Sequence, residues 1–311
     1  MNKCITAALL LIISVLPLAA LPASNDHSSI VIGGSTIDVT LVDDDLKPKQ
    51  NELLTWVRNA TQAIEAYYGQ FPLKETSVNI HSFDGSGVRA GRTFGRTDSG
   101  FIRISVGAET TADELHKDWM MTHEMVHLTF PSVADEHHWI EEGLAVYVEP
   151  IARMRSGNMT PETAWGEMVR DMPQGQPQAG AEGLDHTETW ASTYWGGALF
   201  SFVADVEIRK RTHNRKGLED ALRAILNAGG NITQDWELRR VFEVGDKAVG
   251  VPVLEELYDK MKDKPVTVDL DGMWKELGVS RQNGVTTFND HAPLAAIREA
   301  ITTGRVPSAK P

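Results

Sequence analysis

Residues Thr122 to Ala145 read THEMVHLTFPSVADEHHWIEEGLA, and the fold turns on how this stretch is laid out. Its first part, His123-Glu124-Met125-Val126-His127, places two histidines four residues apart. On an α-helix, positions i and i+4 share a face. Two imidazoles there can hold one zinc ion at roughly 2.0–2.1 Å each, and Glu124, next to the first histidine, can reach a water on that ion. The competing reading is a helix face with two ordinary histidines and a solvated glutamate. Thr111 and Glu114 have capping-box spacing, so a helix is expected from there to about Leu128, with Leu115, Trp119, Met121 and Leu128 as apolar residues. A second helix is expected from His138 to about Arg155, bent or ended by Pro150, which lacks an N–H donor. The connection PSVADEHH is short enough for the two helices to pack antiparallel.

Upstream of this pair the pattern is mostly β. Ile30 to Val42 alternates apolar and polar residues and predicts one or two strands. Leu54, Val57, Ala60, Ile64 and Tyr67 recur at helical spacing within Asn51–Tyr68. Ser77–Phe83 and Phe101–Val106 alternate again, and the Gly-rich run GSGVRAGRTFGRTDSG between them reads as a hairpin or edge strand. Downstream the pattern is helical, over Pro161–Met172, Thr189–Arg211, Leu218–Leu226, Asp235–Phe242, Val253–Met261 and Pro293–Ile301. The loop QGQPQAGAEG, Gln174 to Gly183, is the best internal breakpoint. The expected organisation is a β-rich lobe with one helix over 24–110, a helical lobe over 111–304 and a disordered tail over 305–311.

Composition narrows the classes of function. The chain has 311 residues, 41% hydrophobic and 23% charged, an ordinary globular mix that excludes collagen, coiled coil and wholesale disorder. Lys plus Arg number 30 against 43 Asp plus Glu, a net charge of −13. Phosphate backbones repel such a chain, and it has no long basic run, so nucleic acid is not an expected partner. Residues 1–23 combine Lys3, a short apolar run interrupted by Pro17, and small residues at Ala19, Ala20 and Ala23. That is the layout of a secretory signal peptide, so a periplasmic or secreted protein without stable membrane insertion is expected. The alternative is a buried helix or an uncleaved anchor, for which the run is short. Cys4 is the only cysteine and lies before the apolar run, so the cleaved chain has no disulfide and no thiol nucleophile.

HEMVH has the HExxH pattern of zinc peptidases. Together with Trp139-Ile140-Glu141-Glu142-Gly143-Leu144-Ala145 it resembles the gluzincin family. The resemblance implies an α+β fold with a thermolysin-like core, a small β-containing N-terminal lobe and a mainly helical C-terminal lobe. It makes the Glu before Gly, Glu142, the third zinc ligand after His123 and His127, with one Zn2+ per chain. Glu141 is then an outer partner or solvated. Tyr194-Trp195-Gly196-Gly197 resembles the Y-x-x-G segment of aminopeptidase N-like and glycyl aminopeptidase-like enzymes, although Gly196 stands where that family often has Lys. The match gives Tyr194 the role of stabilising an oxyanion and Glu124 that of general base. A packed core tyrosine is the alternative for Tyr194. The resemblance covers roughly Thr111 to Ser280 and implies a peptide or protein substrate. The other reading is a non-catalytic zinc-containing module that binds a peptide or partner. Three protein ligands argue against it, because structural zinc usually has four.

The sequence also departs from that family. Its aminopeptidases hold the substrate amine with a Glu on a Gly-rich strand before HExxH, and no Glu occurs between Thr76 and Ala108. The stretch carries Arg89, Arg92, Arg96 and Arg103 instead, with Asp84 and Asp98 as possible substitutes for the anchor. The arginines are read either as solubilising an edge strand or as favouring acidic substrates. Val146 stands where thermolysin-like members carry an acid that braces a zinc-bound His, leaving Glu149 and Asp205 as candidates for the brace. His116, His137, His138 and His186 read as surface or packing residues.

Overall fold

The computed structural model describes residues 27–187 and 189–304. The signal peptide expected over 1–23, Cys4 and the tail over 305–311 lie outside the described residues. The chain is α+β, as expected: a small sheet followed by a mainly helical region. Strands β1 (His27–Ile32) and β2 (Ser35–Leu41) form a hairpin whose turn uses Gly33 and Gly34, both with positive φ. Helix α1 (Gln50–Tyr68) follows and stops at Gly69 in the left-handed region. Strands β3 (Glu75–Phe83), β4 (Val88–Gly95) and β5 (Gly100–Gly107) complete a five-stranded sheet of order β1-β2-β3-β5-β4. The central pairs β2–β3 and β3–β5 are parallel, and β4 runs antiparallel to β5 along the edge. The alternation read in the sequence buries Ile37, Val39, Val78, Ile80, Ile102 and Ile104, which join Leu53, Val57 and Ile64 of α1 in one core.

The helix carrying the histidines differs from expectation. The capping box of Thr111 and Glu114 is formed, but it starts only the short α2 (Ala112–Lys117). Asp118 is extended, with ψ 139°, and α3 (Met120–His127) begins anew. The reason is tertiary. The Asp118 carboxylate accepts the Met121 N–H at 3.1 Å, starting α3, and accepts the Trp56 indole N–H of α1 at 3.0 Å. These bonds satisfy donors that a continuous helix would have handled otherwise.

Helix α4 (His138–Arg155) runs through Pro150 without ending. Helices α5 (Pro161–Asp171) and α6 (Trp190–Arg211) start at Thr160 and Thr189, whose hydroxyls accept backbone N–H groups. Helices α7 (Leu218–Asn227), α8 (Leu238–Val249), α9 (Val253–Met261), α10 (Leu270–Leu277) and α11 (Ala295–Thr303) complete the region. The helix expected over Asp235–Phe242 lies further on, in α8. After α10 comes a hairpin of β6 (Val279–Gln282) and β7 (Val285–Phe288), absent from the sequence reading. Its turn, Asn283-Gly284, has both residues at positive φ and is the signal that was there to find.

A buried ionic cluster ties the helices together. Arg209 of α6 donates to Asp205 at 2.8 Å and to both oxygens of Glu219 on α7 at 2.7 Å, and Arg155 of α4 donates to Glu219 at 3.3 Å. Buried charges need this degree of pairing to offset their desolvation.

Candidate metal centre

Helix α3 presents His123 and His127 one turn apart, and α4 brings Glu142 against them. The Nε2 atoms of the histidines are 3.3 Å apart, and Glu142 Oε2 lies 3.1 Å from His123 Nε2 and 3.6 Å from His127 Nε2. Tetrahedral zinc with bonds of ~2.0–2.1 Å sets its ligand atoms roughly 3.3–3.4 Å apart. The three donors therefore have the spacing that such an ion requires, and they form the one group of this kind among the described residues. Burial pushes the His123 pKa down, toward the neutral imidazole that ligates metals. At Glu142 burial acts upward, but hydrogen bonds from His123, His127 and His138 outweigh it and hold the carboxyl far below the usual range.

The surroundings of the triad come from three directions. Glu124 is buried beside it, with the edge strand β4 lying over its carboxylate. Thr93 Oγ1 is 2.7 Å from Glu124 Oε2 and 2.8 Å from the Glu124 carbonyl oxygen. Gly91 lies so close that a Cβ there would sit 2.5 Å from Glu124 Oε1. Tyr194 enters from α6, its ring parallel to that of His123 at 6.1 Å and stacked on Trp190 at 4.9 Å. Burial and the neighbouring Glu142 carboxylate raise the Tyr194 pKa, which keeps the hydroxyl a donor, and Arg92 acts in the opposite sense. Trp119 meets His123 edge-on at 5.2 Å. Gly91, Thr93, Glu124, His127, Glu142 and Tyr194 border a cavity of about 660 Å³, within the range of small-ligand sites.

All five residues singled out in the sequence thus lie together: His123, His127 and Glu142 within 3.6 Å of one another, Glu124 on the same cavity wall and Tyr194 at its side. Tyr194 is half-buried rather than a core residue. His138, read from sequence as surface or packing, approaches the free oxygen of Glu142, Nε2 to Oε1 at 3.2 Å, while its Nδ1 meets Glu141 Oε2 at 3.0 Å. The signal was the i, i+4 spacing of His138 and Glu142 on α4. Glu141 also accepts the Val133 N–H at 3.2 Å and lies outside the three-donor group. Thr93 and Gly91 carried no recognisable signal, because strand residues 31 and 33 positions from Glu124 meet it only through the fold.

The two acids weighed as braces are engaged elsewhere. Glu149 accepts from Arg153 at 2.7 Å. Asp205 accepts from Arg209, the Tyr147 hydroxyl and the Leu218 N–H at 2.8–2.9 Å. Among the described residues the buried His123 Nδ1 has no hydrogen-bond partner. Neither Asp84 nor Asp98, the possible amine anchors, lines the cavity.

No protein-family model matches the chain, and no curated protein does. Among solved structures, an aminopeptidase N family protein from Idiomarina loihiensis is similar in fold, with a TM-score of 0.58 at 14% identity. The match covers 82% of this chain and 49% of that one, so the chain spans about half the length of that protein. The likeness places the α+β architecture beside that of an aminopeptidase N family protein.

Proposed function

We propose that the chain is an exported zinc-dependent metallopeptidase, with His123, His127 and Glu142 holding one Zn2+, Glu124 as general base and Tyr194 as oxyanion donor. The observation that carries this reading is the spacing of the three donor atoms, 3.1–3.6 Å, with a buried carboxylate one residue along the same helix. A zinc ion held there would supply Lewis acidity toward a peptide carbonyl and would acidify water at neutral pH.

The chain's own residues account for the rest. Glu124 takes a proton from the attacking water and returns it to the leaving amine, so the proton count closes without a covalent enzyme intermediate. Thr93 fixes the Glu124 carboxylate by hydrogen bonding to Oε2, which holds the base in one rotamer. The Tyr194 hydroxyl, held protonated, donates to the oxygen on which negative charge develops. The edge strand β4 offers backbone groups to an extended peptide, an added strand beside the base. His138 holds the second Glu142 oxygen, leaving Oε2 toward the histidines.

The test is a mass-spectrometric digest of a diverse peptide library by zinc-loaded wild type and Glu124→Gln. Wild type is expected to cut and the variant to bind equal zinc while losing at least about 100-fold in rate. Equal cutting by both proteins overturns the mechanism. No cutting by fully loaded wild type overturns the peptidase reading in favour of a binding module.

A further inference from the structure

Four arginines lie on or beside the edge strand, and they do not all serve the same end. Arg89 stacks over the Phe83 ring at 3.4 Å and Arg96 over the Phe101 ring at 4.3 Å. Both cover the sheet's own aromatic surface, a structural use of the guanidinium plane. Arg103 is the cross-strand partner of Arg92 in the β4–β5 register and adds like charge beside it. Arg92 lines the cavity together with Glu124, Glu142 and Tyr194. It is exposed, and its charge is felt at the Tyr194 hydroxyl.

The cavity's acids are committed to other groups. Glu142 faces the imidazoles, Glu141 faces Val133 N–H and His138, and Glu124 faces Thr93. None is in ion-pair contact with Arg92. A guanidinium beside a cavity, next to another arginine and with no carboxylate partner among the described residues, matches a ligand carboxylate, which its planar fork binds bidentately. Among the described residues, Arg92 is the one arginine or lysine lining the cavity, beside the acids Glu124, Glu141 and Glu142. A ligand carboxylate entering this cavity finds its cationic side-chain partner at Arg92, since the three acids are engaged elsewhere.

We infer that Arg92 determines specificity in this cleft and that the substrate presents a carboxylate to it, either an Asp or Glu side chain or the C-terminal carboxylate of a peptide. The assay arm of this inference rests on the peptidase reading, whereas its binding arm does not.

The experiment uses peptides synthesised in Glu/Gln pairs at each position, each with a free or an amidated C-terminus. Turnover is measured for zinc-loaded wild type, Arg92→Gln and Arg92→Lys. Binding of the same peptides, fluorescently labelled, is measured for zinc-loaded Glu124→Gln with and without Arg92→Gln. Wild type is expected to prefer the carboxylate member of one pair by about tenfold in kcat/KM, about the value of one good charge-assisted contact. In Arg92→Gln that ratio falls to about one, and Arg92→Lys, keeping the charge without the fork, retains part of it. A Glu/Gln ratio that responds to Arg92 identifies a side-chain carboxylate, and a free/amide ratio that responds identifies the C-terminus. Turnover with no carboxylate preference, or with the same preference in Arg92→Gln, overturns the inference and leaves the peptidase reading intact. Absence of turnover together with Arg92-dependent carboxylate binding overturns the peptidase reading and supports the inference. Absence of both overturns both. Thermal unfolding of each variant confirms that the ratios come from folded protein.

Discussion

Gly143 and Gly197 meet where α4 crosses α6, so closely that a Cβ on Gly143 would lie 2.1 Å from the Gly197 carbonyl carbon. A Cβ on Gly197 would lie 1.9 Å from the Trp139 carbonyl oxygen and 2.8 Å from Gly143 Cα. The crossing sets the site, because Glu142 is the residue before one glycine and Tyr194 lies one turn before the other. Backbone-to-backbone contact gives these two side chains one cavity.

Gly143→Ala tests that dependence. In an isolated helix the change would favour helix by about 1 kcal/mol. Here the methyl group meets backbone that cannot rotate away, and overpacking of about 1–3 kcal/mol prevails. A lower unfolding temperature and weaker zinc binding by calorimetric titration are the expected results. A stabilised protein with unchanged zinc affinity would show that the crossing relaxes without moving Glu142.

Tyr194→Phe removes only the hydroxyl. On the proposed role as oxyanion donor, kcat should fall by roughly 10²–10³ with little change in KM, and zinc content should be unchanged. Trp190 is 58% exposed and stacks on the Tyr194 ring, so Trp190→Ala frees the ring and should lower kcat by a smaller factor. Unchanged kcat in Tyr194→Phe would return Tyr194 to a packing role.

Glu149 is buried, and burial pushes its carboxyl up to about 7 against the pull of Arg153, with Glu167 and Asp118 adding to the rise. Its folded pKa is above the ordinary value of 4.5, so the folded state binds the extra proton between those pH values. The associated stability is full below about pH 4.5 and is lost as pH rises through 7. Relative to Glu149→Gln, wild type should lose at most about 3 kcal/mol on going from pH 4.5 to pH 8. Urea unfolding of both proteins across this range measures the difference, and a difference independent of pH would mean that Arg153 keeps the group ionised throughout.

Asp205→Asn separates bracing of the zinc ligands from structural pairing. Asp205 contacts Arg209, Tyr147 and Leu218, and these hydrogen-bond partners include none of His123, His127 and Glu142. Removing its charge leaves Arg209 facing an amide, a loss of about 3 kcal/mol in stability. Zinc affinity of the folded protein should be unchanged. A fall in affinity measured well below the unfolding temperature would restore the bracing role.

Several parts of this molecule are legible from neighbouring residues alone. The shared face of His123 and His127 follows from a four-residue spacing, and the start of α2 from Thr111 and Glu114. The strands follow from alternation, because each pattern is satisfied within a few residues by the geometry of a helix or strand. Glu142 is reachable from sequence only through resemblance, since fifteen residues after His127 no backbone periodicity applies. The tertiary structure alone decided the break at Asp118, where Trp56 from α1 competes with helix continuation. It alone brought Thr93 and Gly91 over Glu124, and His138 onto the second oxygen of Glu142. It also set Arg92 apart from Arg89 on the same strand and from Arg96 just beyond its end, which carry the same chemistry. Such contacts depend on the register in which strand edge and helices pack, and that register is fixed by the whole buried core, not by any local run of residues.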